Sequence, residues 1–248
     1  MVYKTKVLRF GFFIMTSLVF ISCQDKVLSV RQIVEKSIEA HGGLDSWNNV
    51  KQFSFDKETT LFYEDGSLEL KTDQFQLFRL QPSLFGKIEW EHDANDIVIT
   101  YDNKVSKSIN DSIITSSDEL EKAKNSFFAA QYVIVQPFAL LDEDVELTLK
   151  GQVDLGERKA YEVSVKYAND TELSNKWSYF FDTQTFEVIA NKVELSDHTS
   201  WVENLTFDTT SEFKFNAHRK SYRLNNAGEK TYLRAEYYYS NFEVVFKD

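Results

Sequence analysis

Phe53-Ser54-Phe55-Asp56-Lys57-Glu58-Thr59-Thr60-Leu61-Phe62-Tyr63, followed by Glu64-Asp65-Gly66-Ser67, is the stretch on which the fold turns. Phe53, Phe55, Lys57, Thr59, Leu61 and Tyr63 fall on one side of a two-residue period, and the residues between them fall on the other. Successive side chains of a strand point to opposite faces, so this pattern predicts a strand. The Gly-containing turn then sends the chain back through Leu68, Leu70 and Thr72 to Phe75, Leu77 and Leu80, as a hairpin requires. The same period runs through Lys87–Glu91 and Ile97–Tyr101, and Tyr101-Asp102-Asn103-Lys104 reads as a further turn. Hairpin spacing of this kind predicts an antiparallel sheet.

Upstream of the first strand, Ser29 is placed to cap a helix with Val30, Ile33, Val34 and Ile38 on one face, closed by Gly42-Gly43 in a left-handed turn. A shorter helical turn, Leu44 to Val50, follows and carries Trp47. Downstream, Ser117 precedes Asp118-Glu119, and Leu120, Ala123, Phe127, Ala130 and Ile134 recur at helical spacing, which predicts a helix over about 118–135 that stops before Pro137. Strand signals resume over 145–149, 159–167, 176–181, 187–195, 201–213 and 231–246. The expected molecule is mainly β (α+β), with about ten strands and two helical inserts in one domain spanning 29–248.

The first 22 residues have the three parts of an export signal: basic Lys4, Lys6 and Arg9, an apolar run from Phe10 to Ile21, and small Ser22. Twelve helical residues cover roughly 18 Å, short of a roughly 30 Å hydrocarbon core, so cleavage is favoured over a permanent span. Val19-Phe20-Ile21-Ser22-Cys23 resembles a lipobox, in which the cysteine receives a diacylglycerol and its new amino terminus a further acyl chain such as palmitate. Phe20 stands where that pattern usually has Leu. Two or more chains anchor stably where one does not. Cys23 is the sole cysteine, so there is no intramolecular disulfide. Residues 23–28 would form a short tether that keeps the body near the bilayer.

Removing the three basic residues of the signal moves the formal charge from -11 to about -14. An acidic body lacks the basic face that phosphate backbones require, and Arg219, Lys220 and Arg223 form the sole basic cluster, so nucleic-acid binding is excluded as an expectation. His41, His92, His198 and His218 are scattered without metal-ligand spacing, and no metal or cofactor is expected. His41 stands apart because it ends a helix, where the dipole favours its cation, beside Gly42-Gly43; a helix cap and a functional histidine are both open. No nucleophile elbow or nucleotide-binding glycine loop is present, so no catalytic residue is assigned. Glu89 and Glu91 flank Trp90, but with 39 acidic residues any chosen carboxylate pair is uninformative. Aromatics carry the stronger signal. Consecutive runs such as Tyr179-Phe180-Phe181 and Tyr237-Tyr238-Tyr239 put rings on both faces of a sheet, one face to cover helices and the other a cavity, or simply a sheet packed on both sides.

Ile33 through Trp47, with its Ala40-His41-Gly42-Gly43, resembles the opening of a group of secreted proteins common in Bacteroidetes-like bacteria, relatives of the LolA/LolB-type lipoprotein carriers. Trp177 through Val188 is similar to their strand-Asp-x-x-Thr-turn-strand signature. The resemblance implies a strongly curved antiparallel sheet forming an incomplete barrel, covered or plugged by the N-terminal helix and the mid-chain helical insert. It also implies an apolar hollow that takes acyl chains in the carriers. Within it, Trp47, Phe127, Phe128, Trp90 and Trp177 are the candidate ligand-binding residues. Cys23 separates the chain from soluble carriers, and Gln24 lacks the Asp that retains many lipoproteins at the inner membrane, which suggests an outer-membrane anchor facing the periplasm. The expected role is binding of an apolar or amphiphilic ligand, or of another lipoprotein, without catalysis. The alternatives are an envelope scaffold with a filled core and a hydrolase acting through carboxylates.

Overall fold

A computed structural model describes residues 28–171 and 174–247. Cys23 and the export segment lie outside the described residues. Helix α1 (Val30–Ala40) begins as the sequence predicts. The Ser29 hydroxyl accepts from the Gln32 backbone N–H, and the Gln32 side chain returns the bond to the Ser29 backbone. It buries Ile33, Val34 and Ile38. His41 ends it, and Gly42 and Gly43 take φ of 126° and 85°, with Gly43 N–H donating to Ile38 O at 2.9 Å. Helix α2 (Leu44–Asn48) then leads into strand β1 (Val50–Phe62).

β1 is followed by β2 (Leu68–Arg79), β3 (Phe85–His92), β4 (Asn95–Asp102), β5 (Lys104–Ile109) and the two-residue β6 (Ser112–Ile113). Helix α3 (Ser117–Val135) and a short 3-10 turn (Phe138–Leu141) come next. The second half is β7 (Val145–Leu155), β8 (Arg158–Tyr167), β9 (Lys176–Asp182), β10 (Val188–Glu194), β11 (Thr199–Asp208), β12 (Phe215–Leu224) and β13 (Lys230–Phe246). All thirteen form one antiparallel sheet in the order β6-β5-β4-β3-β2-β1-β13-β12-β11-β10-β9-β8-β7. The sheet is two meanders joined down the middle, where the first strand pairs with the last: Phe53 lies opposite Val244, and Lys57 opposite Tyr239. α3 is the crossover from the free edge at β6 to the free edge at β7. A connection between opposite edges of one sheet must pass over a face, and here the sheet curls around it as an open half-barrel. One main core joins α1, α3 and both halves of the sheet.

Three strands were not foreseen: β5, β6 and β12. β5 and β12 set Lys107, Arg219 and Ser221 inward among their apolar residues, which breaks a regular apolar alternation, and both residues of β6 are exposed. α3 is capped by Ser116 rather than Ser117, because Ser116 is the last extended residue and its hydroxyl accepts from Glu119 N–H. The strand expected over 201–213 ends at Asp208; the chain beyond it loops so that Phe213 enters the core. No helix among the described residues is long and apolar enough to cross a membrane.

Candidate functional site

The two signature motifs of the sequence build the scaffold around the site. In the Asp182-Thr183-Gln184-Thr185 turn, the Asp182 carboxylate accepts from the backbone N–H of Gln184 (2.8 Å) and Thr185 (2.9 Å), and from Arg158 Nε (2.7 Å). Burial pushes its pKa up, but these bonds outweigh that and hold it below the usual value. At the other motif, Gly42 lies so close to Phe213 that a Cβ would stand 2.6 Å from its ring and 2.8 Å from Glu212 O. Lys214 ties the motifs together. Its backbone N–H donates to His41 O (3.1 Å), and its Nζ donates to Glu187 at 2.8 Å, just past the Asp182 turn.

Between α3 and the concave face of the sheet lies a cavity of about 460 Å³, within the range of small-molecule sites. Nine strands, β1 to β4 and β9 to β13, contribute to its wall. Its apolar part is made by Ile88, Trp90 and Ile99 from one meander, Trp177, Val188 and Val193 from the other, and Ala129, Ala130 and Val133 from α3. Along β13, Tyr237 and Tyr239 face the cavity while Tyr238 is 44% exposed on the outer side, stacked on His218. Along β9 the alternation differs. Tyr179 lines the cavity, Phe181 enters the main core, and Phe180 joins a separate small cluster with Ile189, Ala190 and Trp201. Helix and cavity therefore share one face of the sheet, rather than lying on opposite faces as one of the two open readings of the aromatic runs has it. The inner turns of α3 carry alanines, which leave the space.

The remaining wall is polar. Arg219 is 6% exposed; its Nε donates to Asn204 Oδ1 and its Nη2 to Asn191 Oδ1, both at 2.8 Å. Gln76 Oε1, both amide atoms of Gln136 and Asn216 Oδ1 are buried with no hydrogen-bond partner among the described residues. Tyr179 donates to Tyr132 Oη at 2.9 Å, and Tyr132 also contacts the Tyr167 hydroxyl; burial pushes all three phenols above their ordinary pKa.

Of the residues singled out from sequence, the structure brings Trp90, Trp177 and His41 to this cavity. Trp47, Phe127 and Phe128 do not line it. Trp47 stacks on Phe138 at 4.3 Å between α2 and the 3-10 turn. Phe127 is fully buried between Phe78 and Tyr101 and lies against Gly86, where a Cβ would come within 2.5 Å of its ring. Phe128 packs edge-on to Tyr101. Phe127 fills solid core, because the α3 face at helical spacing from Ala123 and Phe127 is the one pressed onto the sheet, and Trp47 and Phe128 pack half-buried against that core. His41 is 3% exposed, and its Nδ1–H donates to Ser37 O at 2.8 Å. Burial, chiefly, pushes its pKa down to about 4, so it is neutral at pH 7, against the expectation that the helix end favours its cation. His92, His198 and His218 each sit beside a single carboxylate, and no group of three or more metal-ligating side chains occurs among the described residues.

A half-barrel of one antiparallel sheet wrapped on a crossover helix, with a cavity between, is the fold of the LolA superfamily. The LolA superfamily protein NE2245 of Nitrosomonas europaea matches with a TM-score of 0.58 at 9% identity, over 90% of this chain and 95% of its own. A DUF1329 family protein from Desulfovibrio piger gives 0.56 at 9% identity, covering 87% and 92%. An outer membrane lipoprotein-sorting protein domain, so described as putative, from Vibrio parahaemolyticus gives 0.51 at 7% identity, covering 86% and 90%. At such identities the likeness is one of fold. No curated protein matches in sequence. The chain itself belongs to DUF6503, a family of unknown function, whose model matches residues 8–200. That match stops before β12, so Arg219 lies beyond it.

Proposed function

We propose that this chain is an envelope protein, tethered by lipid on Cys23 at the outer membrane and facing the periplasm, that binds an apolar or amphiphilic ligand under α3. The observation that carries this reading is the cavity of about 460 Å³ lined by both meanders and α3 in a LolA-like fold. A well-packed domain of this size has few voids larger than a water molecule, so a space this large is a built feature. A scaffold with a filled core would have no use for it. A hydrolase acting through carboxylates finds no support at this site, since no Asp or Glu lines it.

Purified protein with Cys23→Ser should shift the emission of an environment-sensitive fatty-acid probe. Ala130→Phe, which places a ring in the cavity, should abolish the shift, and Trp177→Ala should weaken it several-fold. Unchanged probe binding by Ala130→Phe would place the probe elsewhere and count against the reading.

A further inference from the structure

The chain carries a formal charge of -11, yet the cavity wall holds two cations, Lys57 and Arg219, and no Asp or Glu. Neither cation forms an ion pair among the described residues. Arg219 is buried, and its protein partners are two neutral amide oxygens. Burying a guanidinium without a counter-charge is costly, and amide oxygens offset that cost in part only. Three of its five N–H groups are left for something else. Lys57 leans toward the same place. Its Nζ lies 5.2 Å from the centre of the Tyr237 ring, and Tyr237 is the residue directly opposite Arg219 in the sheet. Beside them, the unpaired Gln136 Nε2 adds a further donor to the same wall. Across the cavity the lining is apolar, with Ile88, Trp90 and Ile99.

We propose that the ligand is a single-chain amphiphile with an anionic head, its carboxylate or phosphate seated on Arg219 within reach of Lys57 and its hydrocarbon on the apolar wall. This rests on the ligand-binding reading above and sharpens it from amphiphiles in general to anionic ones. The arrangement selects by sign. An anion supplies the counter-charge the site lacks, a neutral head leaves Arg219 uncompensated, and a cationic head is repelled. Asn191 and Asn204 are positioning residues, which hold the guanidinium plane so that its free edge faces the cavity.

The test titrates the full chain carrying Cys23→Ser with dodecanoate and dodecyl phosphate below their micellar concentrations, and with dodecanol below its solubility limit, by calorimetry. At least one anion should bind about tenfold or more tighter than dodecanol, the worth of one charge-assisted hydrogen bond, and the stronger anion distinguishes a fatty acid from a phosphate-headed lipid. Asn191→Asp places a carboxylate against Arg219 and should shrink that preference to under about threefold, the scale of a screened charge. The wild-type comparison needs no variant and so stands even if a substitution disturbs folding. Dodecanol binding as tightly as both anions would overturn the anionic head while leaving the ligand-binding reading intact. Binding of none of the three would overturn both.

Discussion

His41 shows how one residue's surroundings reverse its ordinary behaviour. A helix end alone would favour its charged form, but enclosure against Phe207, at 5.5 Å edge-on, removes the water that a cation needs. Its folded pKa of about 4 lies below the 6.5 of an exposed histidine, so the folded state binds fewer protons than the unfolded one between those values. Its contribution to stability is therefore complete above pH 6.5 and is lost as the pH falls toward 4, by about 3 kcal/mol at most. Urea unfolding at pH 7.5 and pH 5 should show the wild type losing more stability on acidification than His41→Gln; equal losses would exclude this origin. The residue was conspicuous in the sequence because it ends a helix immediately before Gly42-Gly43. Arg219 was not, because in the sequence it sits among Lys220 and Arg223 and reads as one member of an exposed basic run. Only the sheet's alternation turns Arg219 inward with Ser221 while Lys220 faces out with Glu236.

Among the elements, those with regular apolar alternation or a complete cap were legible. β1, β2, β13 and the helices α1 and α3 lie close to where period and capping chemistry put them. β12 was missed because the strand lining a polar part of the cavity cannot show an apolar stripe; Phe215 enters the core, but Arg219 faces the cavity. The same reason explains why aromatic candidates divided. A large ring on a helix face is pulled into close packing, so Phe127 became core and Phe128 packs against it, whereas Trp90 and Trp177 sit on strands beside the alanines of α3. The Asp182 turn is the element that sequence marked and structure explains, since one carboxylate satisfies two backbone N–H groups and pairs with Arg158. Asp182→Ala should lower stability by about 2 kcal/mol, a loss typical of removing a buried acceptor from paired donors. Asp182→Asn, which keeps one oxygen, should lose less. Thermal melts of the two variants, compared with the wild type, check the order.

For the whole molecule, the decisive feature is that the first strand and the last pair at the centre of the sheet. Their register extends from Val50 opposite Phe246 to Leu61 opposite Ala235. A chain ending at Glu229 would lack β13 and lose the middle of the sheet, not an edge. It should show no cooperative thermal transition by circular dichroism and should be digested rapidly by protease; a protease-resistant body would show that each meander is stable alone. The fold class followed from strand period and hairpin spacing, but this pairing did not, because nothing local in either strand names a partner nearly two hundred residues away. That distance also sets an order of events during synthesis. β1 presents an unsatisfied edge from the moment it emerges until β13 follows it, and an edge of that kind invites pairing with any other extended chain. The open half-sheet is therefore the aggregation-prone stage of folding, and the arrival of β13 ends it.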